Sequence, residues 1–405
     1  MYIIIGQGAA GAAAANELRH LNPAVPITVV TEEVDYFYSR IDLPDIIAGK
    51  YDESDSVLQS AEQFNSARIT CKMGQRVVSI DPKHKDIELA SGERIAYNKL
   101  LLATGSTPVI PPVEGANATG IHAVWTLQQA RNIIAAANSA KSAVVVGAGL
   151  IGMKTALALA VRGLSVTVVE KLPRILPRQL DELASGLIAT QVQEKGVKLA
   201  LGTSVERIEQ TPDGKVCGIR VDGQNLACDL VIMAVGVRAN VELARTAGIN
   251  VERGIVVNEF MQTSEESIFA AGDVAEVVDT LSGLPVVPAI WPEAVEQGLI
   301  AARNMAGVKA IRIDGAALNS VEIAGMPIVS IGDIEGNAND DVITFHKGSC
   351  YRKVVMRDRV VRGVLCVGDI RHAGVLGNLV LRQTEVEYSE RIAQPTFSFA
   401  DFMAM

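Results

Sequence analysis

Ile3-Ile4-Ile5-Gly6-Gln7-Gly8-Ala9-Ala10-Gly11 at the start of the chain, and Val144-Val145-Val146-Gly147-Ala148-Gly149-Leu150-Ile151-Gly152 near its middle, are two copies of one local design. In each, an apolar run feeds a GxGxxG turn and then an alanine-rich stretch of helical character. That order lets the glycines close a tight turn, bring backbone N–H groups onto a pyrophosphate, and pack helix against strand. A single GxGxxG arises by chance in sequence rich in alanine and glycine. Here each copy is followed, about 20 residues later and at the end of a second β-like run, by an acid able to hold a ribose hydroxyl pair. In the first copy the run is Ile27-Thr28-Val29-Val30 and the acid is Glu32 or Glu33; in the second it is Val166-Thr167-Val168-Val169 and the acid is Glu170. Two α/β units, each with its own dinucleotide, are expected.

The rest of the chain agrees with a globular α/β protein of several domains. Its 405 residues suffice for two or three domains with substantial cores. With 49% apolar and 20% charged residues, it is not of the disordered class. A net charge of −9 argues against nucleic acid or an anionic membrane as the main partner. No uncharged run reaches the length of a membrane span, and no basic leader precedes Tyr2, so a cytoplasmic location is expected. Cys71, Cys217, Cys228, Cys350 and Cys366 form no CxxC pair, and the five histidines give no HxxxH spacing; no metal site is expected.

β-like runs near residues 2–5, 27–30, 76–80 and 99–103 belong to a first segment, 1–112, that ends at the breaker Pro111-Pro112. A second unit, 113–238, holds the second glycine turn. It also has strand patterns at 196–199 and 205–221, with a hairpin turn at Pro212-Asp213-Gly214, and an apolar run, 229–236, that stops at glycine like residues 99–105. Residues 239–314 return to the first domain through Ser267-Ile268-Phe269-Ala270-Ala271-Gly272-Asp273 and a helix-like stretch from Glu293 to Ala306. Residues 315–405 change character: β runs near 321–331, 341–346, 350–356 and 359–368 lead to a helix near 372–382, a small α+β domain.

Taken in order, the N-terminal glycine turn, LLLATG (Leu100–Gly105), the second glycine turn, MAVG (Met233–Gly236) and FAAGD (Phe269–Asp273) resemble the two-dinucleotide-binding flavoprotein family of pyridine-nucleotide reductases. Tyr351-Arg352-Lys353-Val354-Val355 and Val361 to Asp369 look like the corresponding region of NADH:rubredoxin reductases and of the NADH-binding part of nitrite reductases. The resemblance implies two Rossmann-like domains, for FAD and NADH, plus the C-terminal α+β domain. It implies that Gly6, Gly8, Ala9, Ala10 and Gly11 cradle the FAD pyrophosphate, that Glu32 takes the adenosine ribose, and that Arg40 and the backbone of Val77 touch the cofactor. Ala103, Thr104 and Gly105, with Gly272 and Asp273, would complete the flavin side, Asp273 binding the sugar-alcohol chain. The helix after Trp291-Pro292 would begin against the flavin's pyrimidine end; Trp291 itself fits either a contact with the rings or simple core. Gly147, Gly149, Leu150, Ile151, Gly152 and Gly236 would take the nicotinamide nucleotide, with Glu170 favouring NADH by repelling a 2′-phosphate and Lys171 and Arg174 able to soften that preference.

Two departures from the family stand out. No redox cysteine lies in the loop near residues 40–45, so thiol chemistry and four-electron oxygen reduction are disfavoured, and electrons are expected to leave from the flavin directly. The loop's lysine position is Asp45, and the glutamate position beyond the second glycine turn is Lys154. The paired reversal leads us to expect an Asp45–Lys154 bridge of exchanged polarity near the flavin. The function implied is NADH-dependent reduction of a small protein carrier such as rubredoxin or ferredoxin. Eight cations, Lys347, Arg352, Lys353, Arg357, Arg359, Arg362, Arg371 and Arg382, are placed to steer an acidic carrier or to lie on solvated sheet faces. The alternatives are an NADH oxidase forming hydrogen peroxide, and a flavin-bearing subunit or redox-sensing protein of a larger complex, with the apolar tail Phe397–Met405 as a contact.

Overall fold

A computed structural model of the chain describes residues 1–312, 318–386, 390–398 and 400–401. Contacts divide it into two units. The first gathers Met1–Arg40, Glu53–Thr107 and the described residues of Val237–Gly315; the second gathers Ile41–Asp52, Pro108–Gly236 and the described residues from 318 onward.

The core of the first unit is a five-stranded parallel sheet in the order Ile268–Ala270, Lys99–Leu102, Tyr2–Ile5, Ile27–Val30, Ile69–Lys72. Tyr2–Ile5 and Ile27–Val30 are buried on both faces, which is why they read as continuous apolar runs rather than alternating ones. Helix Ala9–Leu21 leaves the first glycine turn and packs on helix Trp291–Met305. At their crossing a side chain on Gly298 would meet the carbonyl of Ala10. A three-stranded antiparallel meander, Val77–Asp81, Asp86–Leu89 and Arg94–Ala96, completes the unit's regular sheets on the N-terminal side.

The second unit repeats the plan. Its parallel sheet runs Lys198–Leu201, Ser165–Glu170, Ser142–Val146, Leu230–Met233, Ile121–Ala123, with helix Leu150–Val161 leaving the second glycine turn. Helix Glu182–Glu194 starts at Asp181, whose carboxylate accepts the Ala184 N–H at 3.0 Å. The hairpin at residues 212–214 forms between strands Val205–Gln210 and Val216–Val221, with Gly214 at φ +78°. A short helix, Leu43–Ala48, packs against Leu127–Ala137 and Leu150–Val161 within this unit, although in sequence it lies inside the first segment.

The C-terminal part of the second unit is a five-stranded antiparallel sheet in the order Leu318–Ile323, Met326–Gly332, Val360–Val367, Cys350–Arg357, Asp341–Lys347. The single β run read at 321–331 is a hairpin, reversed at Ala324 and Gly325, both at positive φ. Helix Ala373–Arg382 covers strands Val360–Val367 and Met326–Gly332. Of the apolar tail, Phe397 is buried, while 399 and 402–405 lie outside the described residues.

Candidate functional site

The two glycine turns are geometric twins. Gly6 N–H donates to Val30 O and Gly147 N–H to Val169 O, both at 2.8 Å. Ala103 N–H donates to Ile5 O and Ala234 N–H to Val146 O, again both at 2.8 Å. Each turn thus sits at the carboxyl end of a central strand, between the two neighbours that flank it, where open α/β sheets bind ligands.

The glycines divide the labour in the same way in both copies. Gly6 and Gly147 adopt φ +102° and +107°, and a side chain at either would strike the carbonyl of Ala103 or Ala234. Gly11 and Gly152 lie so close to the carbonyls of Gly6 and Gly147 that no side chain fits. By contrast, nothing lies within 4 Å of where a Cβ on Gly8 or Gly149 would stand. Both are helix N-cap residues with no capping side chain, so the first N–H groups of each helix face an open approach. Ala9 and Ala10, and Leu150 and Ile151, form the first turns of those helices. Open space at the second glycine, together with uncapped N–H groups, fits a dinucleotide pyrophosphate in each unit.

Around the first turn the side chains converge on Glu33. Its carboxylate accepts the Tyr38 hydroxyl at 2.5 Å and pairs with Arg40, and with Gln7, Gly8, Tyr36 and Phe37 these residues line one cleft. Gln7 donates to Asp35 O, while its buried Oε1 has no partner. Glu32, by contrast, is exposed. The two adjacent acids thus differ: the Glu33 carboxylate is tied to Tyr38 and Arg40, while Glu32 stays open to solvent. The adjoining backbone is paired here, Gly74 N–H reaching Glu33 O at 3.0 Å and Gln75 N–H reaching Thr31 O at 2.8 Å, and it leads directly into Val77.

Asp273 accepts the Ser106 hydroxyl at 2.8 Å, which joins the end of strand Ile268–Ala270 to the residues after Ala103-Thr104-Gly105. Gly272, at φ +82°, donates its N–H to Gln297 Oε1 at 2.9 Å. Gln297 is wholly buried and its Nε2 has no partner. Trp291 stacks on Phe37, with ring centroids 5.7 Å apart and planes 12° from parallel. It opens a helix with no capping side chain, whose first turn carries buried Glu293 paired with buried Arg312 at 3.0 Å. Gln7, Phe37, Ser106, Gln297 and Arg312 were not singled out from the sequence, where none of them stands in a motif of its own.

In the second unit Glu170 folds back on the turn. Its Oε2 accepts Ala148 N–H at 2.7 Å and its Oε1 accepts Leu172 N–H at 2.8 Å. Gly236, at φ +116°, closes the run after Met233.

Asp45 and Lys154 do not form the expected bridge. Gly49, at φ +74°, ends helix Leu43–Ala48 so that Lys50 N–H reaches Asp45 O at 2.9 Å. The Lys50 ammonium then takes the Asp45 carboxylate at 3.0 Å. The two helices pack on each other, yet Lys154 pairs with no carboxylate among the described residues. Four of the eight C-terminal cations are likewise engaged: Arg352 is buried, Lys353 faces Asp181 at 3.6 Å, Arg357 holds Asp340 and Arg371 holds Asp369. Burial pushes the thiols of Cys71 and Cys366 up to about 11 and that of Cys228 to about 12, as for small core residues rather than nucleophiles. Among the described residues no group of three or more His, Cys, Asp or Glu side chains is placed to hold a metal ion.

Comparison with known proteins agrees with this geometry. The profile of the family described as pyridine nucleotide-disulphide oxidoreductase matches residues 1–298. The assimilatory nitrate reductase electron transfer subunit of Bacillus subtilis (strain 168) is 32% identical over the whole chain, which spans 52% of that subunit's length. The epsilon subunit of the NADH-dependent phenylglyoxylate dehydrogenase of Aromatoleum evansii is 31% identical over 95% of the chain and 92% of its own length. Among solved structures, the covalent putidaredoxin reductase–putidaredoxin complex has a chain that superposes with a TM-score of 0.89 at 27% identity, covering 95% of this chain and 94% of that one.

Proposed function

The chain belongs to the pyridine nucleotide-disulphide oxidoreductase family, and from that premise we propose that it is a flavoprotein reductase. It takes a hydride from NADH onto bound FAD and delivers electrons singly to a separate protein acceptor, a small carrier of the rubredoxin or ferredoxin type. The observation that carries this reading is the pair of twin glycine turns, each with open space at its second glycine. A relative solved as a covalent complex with putidaredoxin supports a protein acceptor.

FAD, when bound, supplies the capacity to accept two electrons and release them one at a time, which no side chain here possesses. The protein's work is positional. Gly6, Gly8 and Gly11 hold the pyrophosphate against the N-terminus of helix Ala9–Leu21, and the exposed Glu32 accepts from the adenosine ribose. Asp273, already fixed by Ser106, accepts from the sugar-alcohol chain. The uncapped start of helix Trp291–Met305 stabilises negative charge on the ring system, and Arg312 neutralises the Glu293 carboxylate that would oppose it. Gly147, Gly149 and Gly152 hold the second pyrophosphate, and Glu170 accepts from the ribose 2′-hydroxyl of NADH. No helix among the described residues is long and apolar enough to cross a membrane, and five free cysteines fit a reducing compartment, so we assign the reaction to the cytoplasm.

Two relatives bear names of subunits of larger enzymes, which favours one second reading: the same electron route serving a fixed partner subunit. Stopped-flow mixing of the NADH-reduced protein with rubredoxin, ferredoxin and oxygen tests the proposal. Rapid return of the oxidised flavin spectrum with one carrier supports it. Reoxidation by oxygen alone would make the protein an oxidase, and reduction without turnover by any carrier would favour the subunit reading.

A further inference from the structure

The loop that follows Glu170 is held near its start by the loop between strands Met326–Gly332 and Asp341–Lys347, and at its end by strand Cys350–Arg357. Near its start, Arg174 pairs with Glu335 at 2.7 Å; at its end, Asp181 accepts the Tyr351 hydroxyl at 2.7 Å and faces Lys353 at 3.6 Å. Between these ties the loop is fastened to the glycine turn itself. Leu172 N–H is bound by Glu170, and Leu176 N–H donates to Ala148 O at 2.8 Å. Arg174 therefore lies midway between two residues whose backbone touches the ribose acid and its turn. Its guanidinium is nonetheless drawn to Glu335 and to Pro177 O at 3.3 Å, with a buried Nε that has no partner.

A 2′-phosphate needs a planar, bidentate cation near the second ribose, and Arg serves better than the strongly hydrated ammonium of an exposed lysine such as Lys171. We propose that Glu335 is a specificity-determining residue: by holding Arg174 on the loop after strand Met326–Gly332, it leaves only the Glu170 carboxylate to meet the 2′ position and so excludes NADPH. Glu335 acts through Arg174 and does not itself touch the nucleotide; it is a positioning residue. The inference rests on the assignment of NADH to the second glycine turn.

The test is calorimetric binding of ADP-ribose and of 2′-phospho-ADP-ribose to the full chain as wild type, Glu335→Ala, Glu335→Gln and the double variant Arg174→Ala/Glu335→Ala. The pair is partly exposed, so release of Arg174 is expected to strengthen binding of the phosphorylated ligand about two- to fivefold in either single variant. ADP-ribose binding should stay unchanged, and the gain should vanish in the double variant. An unchanged ratio of the two affinities in both single variants, or a gain that persists without Arg174, would overturn the proposal. If wild-type protein binds neither ligand, it is the assignment of the second turn to a nicotinamide nucleotide that fails.

Discussion

Within each GxGxxG turn, three glycines of one residue type do three different physical jobs, and the difference is testable. Gly149 faces open space, whereas Gly152 is pressed against the Gly147 carbonyl. Gly149→Ala is therefore expected to leave thermal stability and FAD content unchanged while weakening NADH binding about tenfold. Gly152→Ala is expected to cost about 1–3 kcal/mol of stability, because helix and turn must move apart. Thermal melts beside binding titrations check both, and equal destabilisation by the two substitutions would contradict the assignment. The glycines were legible in the sequence because their spacing alone fixes their roles. The different surroundings of Glu32 and Glu33 were not legible, since the backbone after Val30 that ties Glu33 to Tyr38 and Arg40 and leaves Glu32 exposed depends on pairing with residues 72–75. The Asp45–Lys154 expectation failed for a similar reason: the turn at Gly49 offers Asp45 a nearer cation, Lys50, five residues away.

Among the elements, strand Cys350–Arg357 shows most clearly how the C-terminal sheet is held together. Arg352 has no exposed surface and donates to Gln394 O at 3.0 Å, to Asp369 O at 3.4 Å and to Arg371 O. Arg352→Ala would strand those carbonyls and empty a large side-chain volume, and is expected to cost about 3–5 kcal/mol in denaturant unfolding. Asp369 is bonded by the Arg371 side chain and N–H and lies 4.0 Å from Arg352; these hold its carboxyl at about 2, below the ordinary 3.8 of an aspartate. A folded pKa that is lowered stabilises fully above the unfolded value and loses that contribution as pH falls from 3.8 toward about 2. The stability gap between wild type and Asp369→Asn should thus be constant near neutral pH and shrink over that acid window. A gap that widens on acidification would contradict the sign.

The doubly buried parallel strands were readable as apolar runs, and the 212–214 hairpin from its turn residues. The reversal at Ala324-Gly325 was hidden inside an apolar stretch. Helix Leu43–Ala48 was missed as well: a single short turn carries no periodicity, and its place in the second unit follows from tertiary packing alone.

At the scale of the whole molecule, the order of motifs carried the reading further than any single motif. A repeated strand–turn–helix–strand–acid pattern predicts two nucleotide sites, and each unit contains one copy of the strand–turn–helix–strand arrangement. The electron acceptor is less legible, because recognition of a carrier depends on a surface. The local cation excess that suggested one is reduced by internal engagement to exposed Lys347, Arg359 and Arg382, since Arg362 is also held, by Gln383 and the nearby Asp340 carboxylate. If those three steer an acidic carrier, its association rate should fall steeply with salt. A rate independent of ionic strength would remove them from the docking surface.

The most direct test of the central claim is the visible spectrum of the purified protein during anaerobic addition of NADH. A yellow protein carrying one FAD per chain, bleached by about one equivalent of NADH, is the expected result. Folded, colourless protein that takes up no FAD, or bound flavin that NADH leaves oxidised, would contradict it.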